Sequence, residues 1–287
     1  MFSNPFISKQ GFLYLCSLLS RDVSRETLQQ TLDTVPSRIS SEGRLEEAGI
    51  KDEGNISVEK AKKLDQVNGV LRIVEYLRQA RGYRNVLEVG SGSGQLTLEL
   101  AMENPDLEIT GIDINEKLVQ TAKAINRAHN IEFQTRNAFN LSLYGRQYDL
   151  VVSLHGCGNL SDRVLDLSID SIADVVCVPC CYGKIKRKGE GYCSLPRSQT
   201  LQDQSTEVKR ALRQAVRLDG KVRDSKKTSQ NLRLDLSRML VSFDRLFYLM
   251  EKGYSVDLVP ITEEKVRING KDHTSSSLRY AIVGISQ

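Results

Sequence analysis

The sequence predicts an α/β protein with a seven-stranded, doubly wound sheet, mostly parallel with one antiparallel edge strand, and an N-terminal helical extension. Three observations predict it. From residue 85 onward, short β-branched runs alternate with amphipathic stretches of helical period. The first run breaks into three closely spaced glycines that open a helix. The last two runs are joined by a segment, Thr262–Ser277, without helical periodicity, which permits a hairpin. The 287 residues, 40% hydrophobic and 26% charged, suit one large globular domain with additions. No run approaches the roughly 20 apolar residues that span a bilayer. The apolar stretch Gly11–Leu19 is followed by no small-residue cleavage site and reads as a buried helix. Six cysteines, five of them between Cys157 and Cys193, do not make a disulfide scaffold. Their clustering suits a local site in a reducing compartment, so a soluble, cytoplasmic protein is expected.

The elements follow in order. Phe6, Ile7, Phe12, Leu15, Leu18 and Leu19 recur at helical spacing, and Leu28, Leu32 and Val35 repeat the pattern until Pro36. Residues 37–56 are polar and read as a linker, so the predicted division is an extension over 1–55 and a main domain over 56–287. Ser57 is half of a capping box for the next helix. That helix carries Ala61, Leu64, Val67, Val70, Leu71, Val74 and Leu77, and Gly82 is placed to cap its end. Seven strands are predicted: Asn85–Val89, Leu107–Ile112, Ile131–Gln134, Tyr148–Leu154, Asp174–Val178, Ser255–Ile261 and Leu278–Ile285. Helices are expected over about 95–102, 116–129 and 239–252.

Residues 182–238 break the alternation. They hold 15 Lys+Arg against 6 Asp+Glu, so within a total of +4 this insertion is +9 and the remainder −5. Two readings stand: a solvated loop, or a surface for a phosphate backbone, which releases counterions on meeting dispersed Lys and Arg. Few aromatics interleave the charges, so base stacking is not indicated.

The chemistry begins at Leu87-Glu-Val-Gly-Ser-Gly-Ser-Gly-Gln95. Gly90, Gly92 and Gly94 permit a sharp turn and close approach to a ligand, and the helix start behind them favours a negative group. The pattern is G-x-G-x-G with Gln95 where a dinucleotide fingerprint has its third glycine. With an acidic residue two before the first glycine, it resembles motif I of class I S-adenosylmethionine (SAM) methyltransferases. Asp113 ends the second strand 19 residues beyond Gly94, where a carboxylate can accept both ribose hydroxyls of an adenosine cofactor. Glu88 would hold ordered water or the cationic amino end of SAM. Asn137 follows the third strand where many methyltransferases carry an Asp for the adenine amino group.

Ligands of open α/β sheets sit beyond the carboxyl ends of the strands. The fourth strand ends in His155-Gly-Cys157-Gly-Asn-Leu-Ser-Asp162 and the fifth in Pro179-Cys-Cys-Tyr-Gly183. Three chemistries are open to these residues. His155 can serve as a general base. Cys180 or Cys181 can serve as a nucleophile. Cys157, Cys177, Cys180, Cys181, Cys193 and His155 can supply metal ligands, but Cys177-x-x-Cys180 has no second pair after it, and no metal is assigned.

Together with Gly191-Tyr-Cys-Ser-Leu-Pro-Arg-Ser198, these two segments resemble the methyltransferase domain shared by the glutathione S-transferase C-terminal domain-containing proteins and related methyltransferase-like proteins. The His-x-Cys-Gly and Cys-Cys elements are also similar to a tRNA ribose 2′-O-methyltransferase family. The likeness covers roughly residues 56–287. It implies a Rossmann-like fold, SAM as cofactor, and cofactor contacts at Glu88, Gly90, Gly92, Gly94, Asp113, Ile114, Asn137 and Ala138. It further implies a catalytic rim at His155, Cys180 and Cys181, and a substrate side at Cys157 and Tyr182, to which the charge of the basic insertion adds Lys184, Lys186 and Arg187. The expected activity is methyl transfer to RNA, tRNA first, with the basic insertion holding the polyanion. A small-molecule or protein methyltransferase, and a non-catalytic scaffold with a cysteine metal site, are the rival readings.

Overall fold

The structure, a computed structural model, describes residues 8–20, 26–27, 30–31, 58–144, 147–183, 185, 195–221, 228–262, 265–268, 271–274 and 280–287. Its helices are α1 (Lys9–Ser20), α2 (Val58–Arg81), α3 (Gln95–Glu103), α4 (Glu116–Ile125), α5 (Asn159–Ser171), α6 (Gln199–Gln202), α7 (Thr206–Lys221) and α8 (Thr228–Glu251). Its strands are β1 (Asn85–Val89), β2 (Glu108–Asp113), β3 (Ile131–Thr135), β4 (Leu150–Leu154), β5 (Asp174–Val178), β6 (Tyr254–Pro260), β7 (Lys265–Ile268), β8 (Lys271–Thr274) and β9 (Tyr280–Ser286). Among the described residues, no helix is long and apolar enough to cross a membrane.

Seven strands form one Rossmann-like sheet in the order β3-β2-β1-β4-β5-β9-β6. β1 to β5 pair in parallel, and β9 runs antiparallel to both β5 and β6. The antiparallel strand therefore lies one place inside the edge, with β6 outermost. The predicted loop between these two strands holds a hairpin of its own, β7 paired with β8.

Alternating side chains give the sheet two apolar faces. Leu87, Val89, Val151, Val175 and Cys177 face the layer of α1, α5, α7 and α8. Val86, Leu150, Val152, Val176 and Val178 face α2 and α3. Central strands buried on both faces read as near-continuous hydrophobic runs, as β4 and β5 do. Gly82, at φ 65°, ends α2 as its sequence position predicts.

The largest departure from expectation concerns the basic insertion. Much of its described part is helical, with α6, α7 and the first half of α8, which starts eleven residues before the predicted helix. α7 buries Val208, Leu212 and Ala215 on the face that meets the core. α1 joins the same cluster through Phe12, Leu15 and Leu18, and the Phe12 and Phe247 rings meet edge to face at 6.0 Å. Phe6, Ile7, Leu28, Leu32, Val35, the 37–56 linker, Ser57 and Cys193 lie outside the described residues.

Candidate active site

β1 pairs with β2 on one side and with β4 on the other; the chain runs from β1 outward through β2 to β3 and then crosses back to β4 on the opposite side. This is the switch point at which open α/β sheets leave a crevice beyond the strand ends. The turn after β1 forms one wall. Gly90, Gly92 and Gly94 all have positive φ, at 78°, 57° and 84°. At Gly94 a side chain is excluded twice, since a Cβ would also stand 2.7 Å from Phe133 Cζ. At Gly92 a Cβ would meet nothing within 4 Å, so this stretch of backbone borders open space. The Gly90 and Ser91 amides donate to the Ile112 carbonyl, at 2.8 and 3.0 Å, and the Gly92 amide donates to Asp113 Oδ2 at 2.9 Å.

Asp113 also accepts from the Asn115 amide through Oδ1, at 2.8 Å. Both carboxylate oxygens are thus oriented by backbone, and each retains lone pairs for a further donor. Glu88 is buried inside β1 and accepts from the Thr97 hydroxyl of α3. Burial pushes its carboxyl up to about 7; the Thr97 hydrogen bond opposes the shift and the nearby Asp113 charge adds to it. Asn137 Oδ1 accepts from the Phe139 amide at 3.0 Å and so starts a short 3-10 turn over Ala138–Asn140. Ala138 is buried, and its carbonyl accepts from Arg163 of α5 at 3.0 Å. Ile114 and Phe139, 70% and 46% exposed, leave two apolar side chains open past β2 and β3, whose ends are paired through Asp113 and Thr135. Open backbone, a carboxylate with free lone pairs and two uncovered apolar groups fit an adenosine-type cofactor.

The second wall is the loop after β4. Ser153 donates to the Val89 carbonyl at 2.7 Å, and Leu160 would lie 3.4 Å from a Cβ on Gly90. These contacts bring the His155 loop beside the glycine turn. His155 is half-buried at φ 67°, and its amide donates to the Val178 carbonyl at 2.9 Å. Non-glycine residues rarely adopt this conformation, and such strain concentrates at functional sites. The Gly158 amide donates to the Cys181 carbonyl at 3.0 Å, tying the β4 loop to the β5 loop.

Three expectations for the rim are corrected. Cys157 and Cys180 are joined as a disulfide, so Cys180 in this state is not the free thiol that a nucleophile requires; Cys181 is free. Tyr182 is fully buried, its hydroxyl 2.9 Å from Ser242 Oγ and its ring beneath Arg245, so its side chain faces the core instead of the substrate. Cys177 is buried within β5, where burial raises its thiol far above the ordinary range. Lys184, Lys186 and Arg187 lie outside the described residues.

Sequence reasoning missed the buried charges behind this rim. Arg245 of α8 is fully buried and grips Asp162 of α5 through Nε and Nη2, at 2.9 and 3.0 Å, while Nη1 meets Asp244 at 2.8 Å. Asp244 in turn accepts from the Arg197 and Ser198 amides, at 2.8 and 2.9 Å. Arg238 of α8 holds Asp219 of α7 at 2.8 Å, and Asp219 accepts from the Tyr182 and Gly183 amides. Asp162, Arg197 and Ser198 belong to the segments that suggested a site, and they support it from behind. An arginine inside the apolar run Met239–Leu249 was the available signal, because a buried charge must be paired.

Residues 62–188 match the family model of a methyltransferase domain. The match covers somewhat less than half of the chain. Among curated proteins it is 26% identical over 219 residues to the mouse (Mus musculus) glutathione S-transferase C-terminal domain-containing protein, covering 74% of this chain and 33% of that one. It is 33% identical over 119 residues to the homologue of that protein from Drosophila pseudoobscura pseudoobscura, covering 41% and 20%. It is also 32% identical over 113 residues to the demethylmenaquinone methyltransferase of Thermotoga maritima, covering 36% and 48%. The chain thus spans a fifth to a third of the length of the first two relatives. The glycine turn, Asp113, Asn137 and the His155 loop all fall within the matched domain.

Proposed function

We propose that this chain is a SAM-dependent methyltransferase acting on RNA, with tRNA the first substrate to test. The observation that carries the reading is the juxtaposition at the switch point: a cofactor-type wall after β1 and β2, and a strained histidine on the loop beside it. Asp113 receives the ribose hydroxyls. Glu88, when ionised, is the counter-charge for the amino-acid ammonium. The glycine turn lets the backbone approach, and Ile114 and Phe139 cover the adenine, with Asn137 beside its amino group. When bound, SAM supplies an electrophilic methyl group. The protein's own contribution is alignment, with His155 orienting the acceptor and taking its proton.

The choice of RNA rests on charge. On α7, Val208, Leu212 and Ala215 face the core, and Arg210, Arg213 and Arg217 are exposed. Three arginines at i, i+3 and i+7 form one stripe. Its C-terminal end approaches Asp219, which binds the β5 loop. A phosphate backbone fits such a row. Binding of bulk tRNA is expected to weaken steeply with salt and to lose about three units of log–log slope on reversing all three arginines to Glu, with SAM affinity unchanged. A flat salt response removes RNA as substrate and favours a small-molecule or protein acceptor.

A further inference from the structure

The convergence of three sulfurs at the rim is not explained by methyl transfer. Cys157 comes from the loop after β4, and Cys180 and Cys181 come from the loop after β5; all three Sγ atoms lie within 4.8 Å of one another. A disulfide needs two sulfurs. The third is surplus to it, and bringing it in requires both loops to be held in place. They are: the Gly158 amide donates to the Cys181 carbonyl, the His155 amide to the Val178 carbonyl, and the Tyr182 and Gly183 amides to Asp219. Asp219 is itself anchored by Arg238. All three cysteines are half-buried, accessible to an ion yet partly shielded from water.

We propose that, with the Cys157–Cys180 bridge reduced, these three thiolates hold one soft divalent cation of the zinc class. Thiolate ligands select such ions over calcium or magnesium. Tetrahedral zinc with Zn–S bonds of about 2.3 Å places its sulfurs roughly 3.8 Å apart, within the spread found here. The Cα atoms of Cys157 and Cys180 are 5.7 Å apart, so reduction leaves their side chains able to converge on one ion. Cys177 is excluded because it is buried in β5. Among the described residues, neither His155 nor any other side chain of this kind joins the three-sulfur group, leaving one position of the ion for an exchangeable donor such as water. Three protein ligands and one exchangeable position are the arrangement of a reactive zinc site, unlike the closed four-ligand set of a structural one. Metal and bridge are mutually exclusive, since the bonded sulfurs lack the thiolate charge that binds zinc.

The test uses the full chain, reduced with a phosphine that is then removed without air, and titrated with zinc against a chromophoric chelator. One zinc per chain is expected. Cobalt in its place should show thiolate-to-metal charge-transfer absorption. Cys181→Ser leaves the Cys157–Cys180 pair intact and should weaken zinc binding at least roughly hundredfold, beyond the usual effect of losing a ligand's supporting partner. His155→Ala should keep the metal. The proposal is overturned if the reduced wild type takes no zinc, or if Cys181→Ser binds it as tightly with an unchanged circular dichroism spectrum. Neither readout involves methyl transfer, so failure here and failure of the methyltransferase reading are separate results.

Discussion

Around β1 to β3, the ligand edge is made of backbone and short-range side chains: a turn at positive φ, a carboxylate accepting from amides in that turn and two residues ahead, and an amide capping its own 3-10 turn. Around β4 and β5, the edge is held by groups far apart in sequence. Arg245 meets Asp162 across 83 residues and Asp219 meets Gly183 across 36, both in the interior or close to it. The proposed cofactor side is therefore expected to tolerate changes in the rest of the molecule, and the proposed acceptor side to depend on the helical insertion.

Breaking the acceptor side should cost the most. Arg245→Met leaves Asp162 and Asp244 in the interior without their shared partner, and a loss of about 3–5 kcal/mol is expected from urea denaturation. If the loss is under 1 kcal/mol, the buried network is not what holds this half together.

Removing the carboxylate of the cofactor side should act on binding instead. Asp113→Ala is expected to weaken SAM by ten- to a hundredfold, about 1.4–2.7 kcal/mol, in calorimetry. Its denaturation midpoint should move far less than that of Arg245→Met. An unchanged SAM affinity would remove Asp113 from the cofactor site.

The smallest effect is a pH dependence. Glu88 ionises near pH 7 in the free protein, so SAM affinity should fall by up to about tenfold per pH unit below that value, as the carboxyl gains its proton and loses its attraction for the ammonium. The sign for stability is opposite. With the folded value above the unfolded one, the native state binds the extra proton, and Glu88 disfavours folding increasingly as pH rises from about 4.5 to 7. Glu88→Gln should flatten both profiles; a profile unchanged in the variant would assign the titration to another group.

The glycine turn and the strand-end Asp113 could be read from sequence because glycine is almost the only residue that fits the turn, and because Asp113 ends a recognisable strand. Strand positions were legible for the same reason: buried β-branched runs punctuated by glycine and polar residues. The helices α6, α7 and the first half of α8 were not, since the many charges of this segment mask the buried positions Val208, Leu212 and Ala215. The rim was half legible. Cys157, Cys180 and Cys181 are brought together from two strand ends, but Tyr182, beside them in sequence, turns inward.

The amino-acid sequence by itself determined the alternation of strands and helices, the glycine turn and the place of Asp113 at a strand end, because each depends on backbone conformation and period over a few residues. Only the tertiary structure decided the place of β9 inside the sheet edge, the pairing of Cys157 with Cys180, and the partners of Arg245, Asp162 and Asp219. Those contacts join residues tens of positions apart, and which pairs meet is set by how the layers pack.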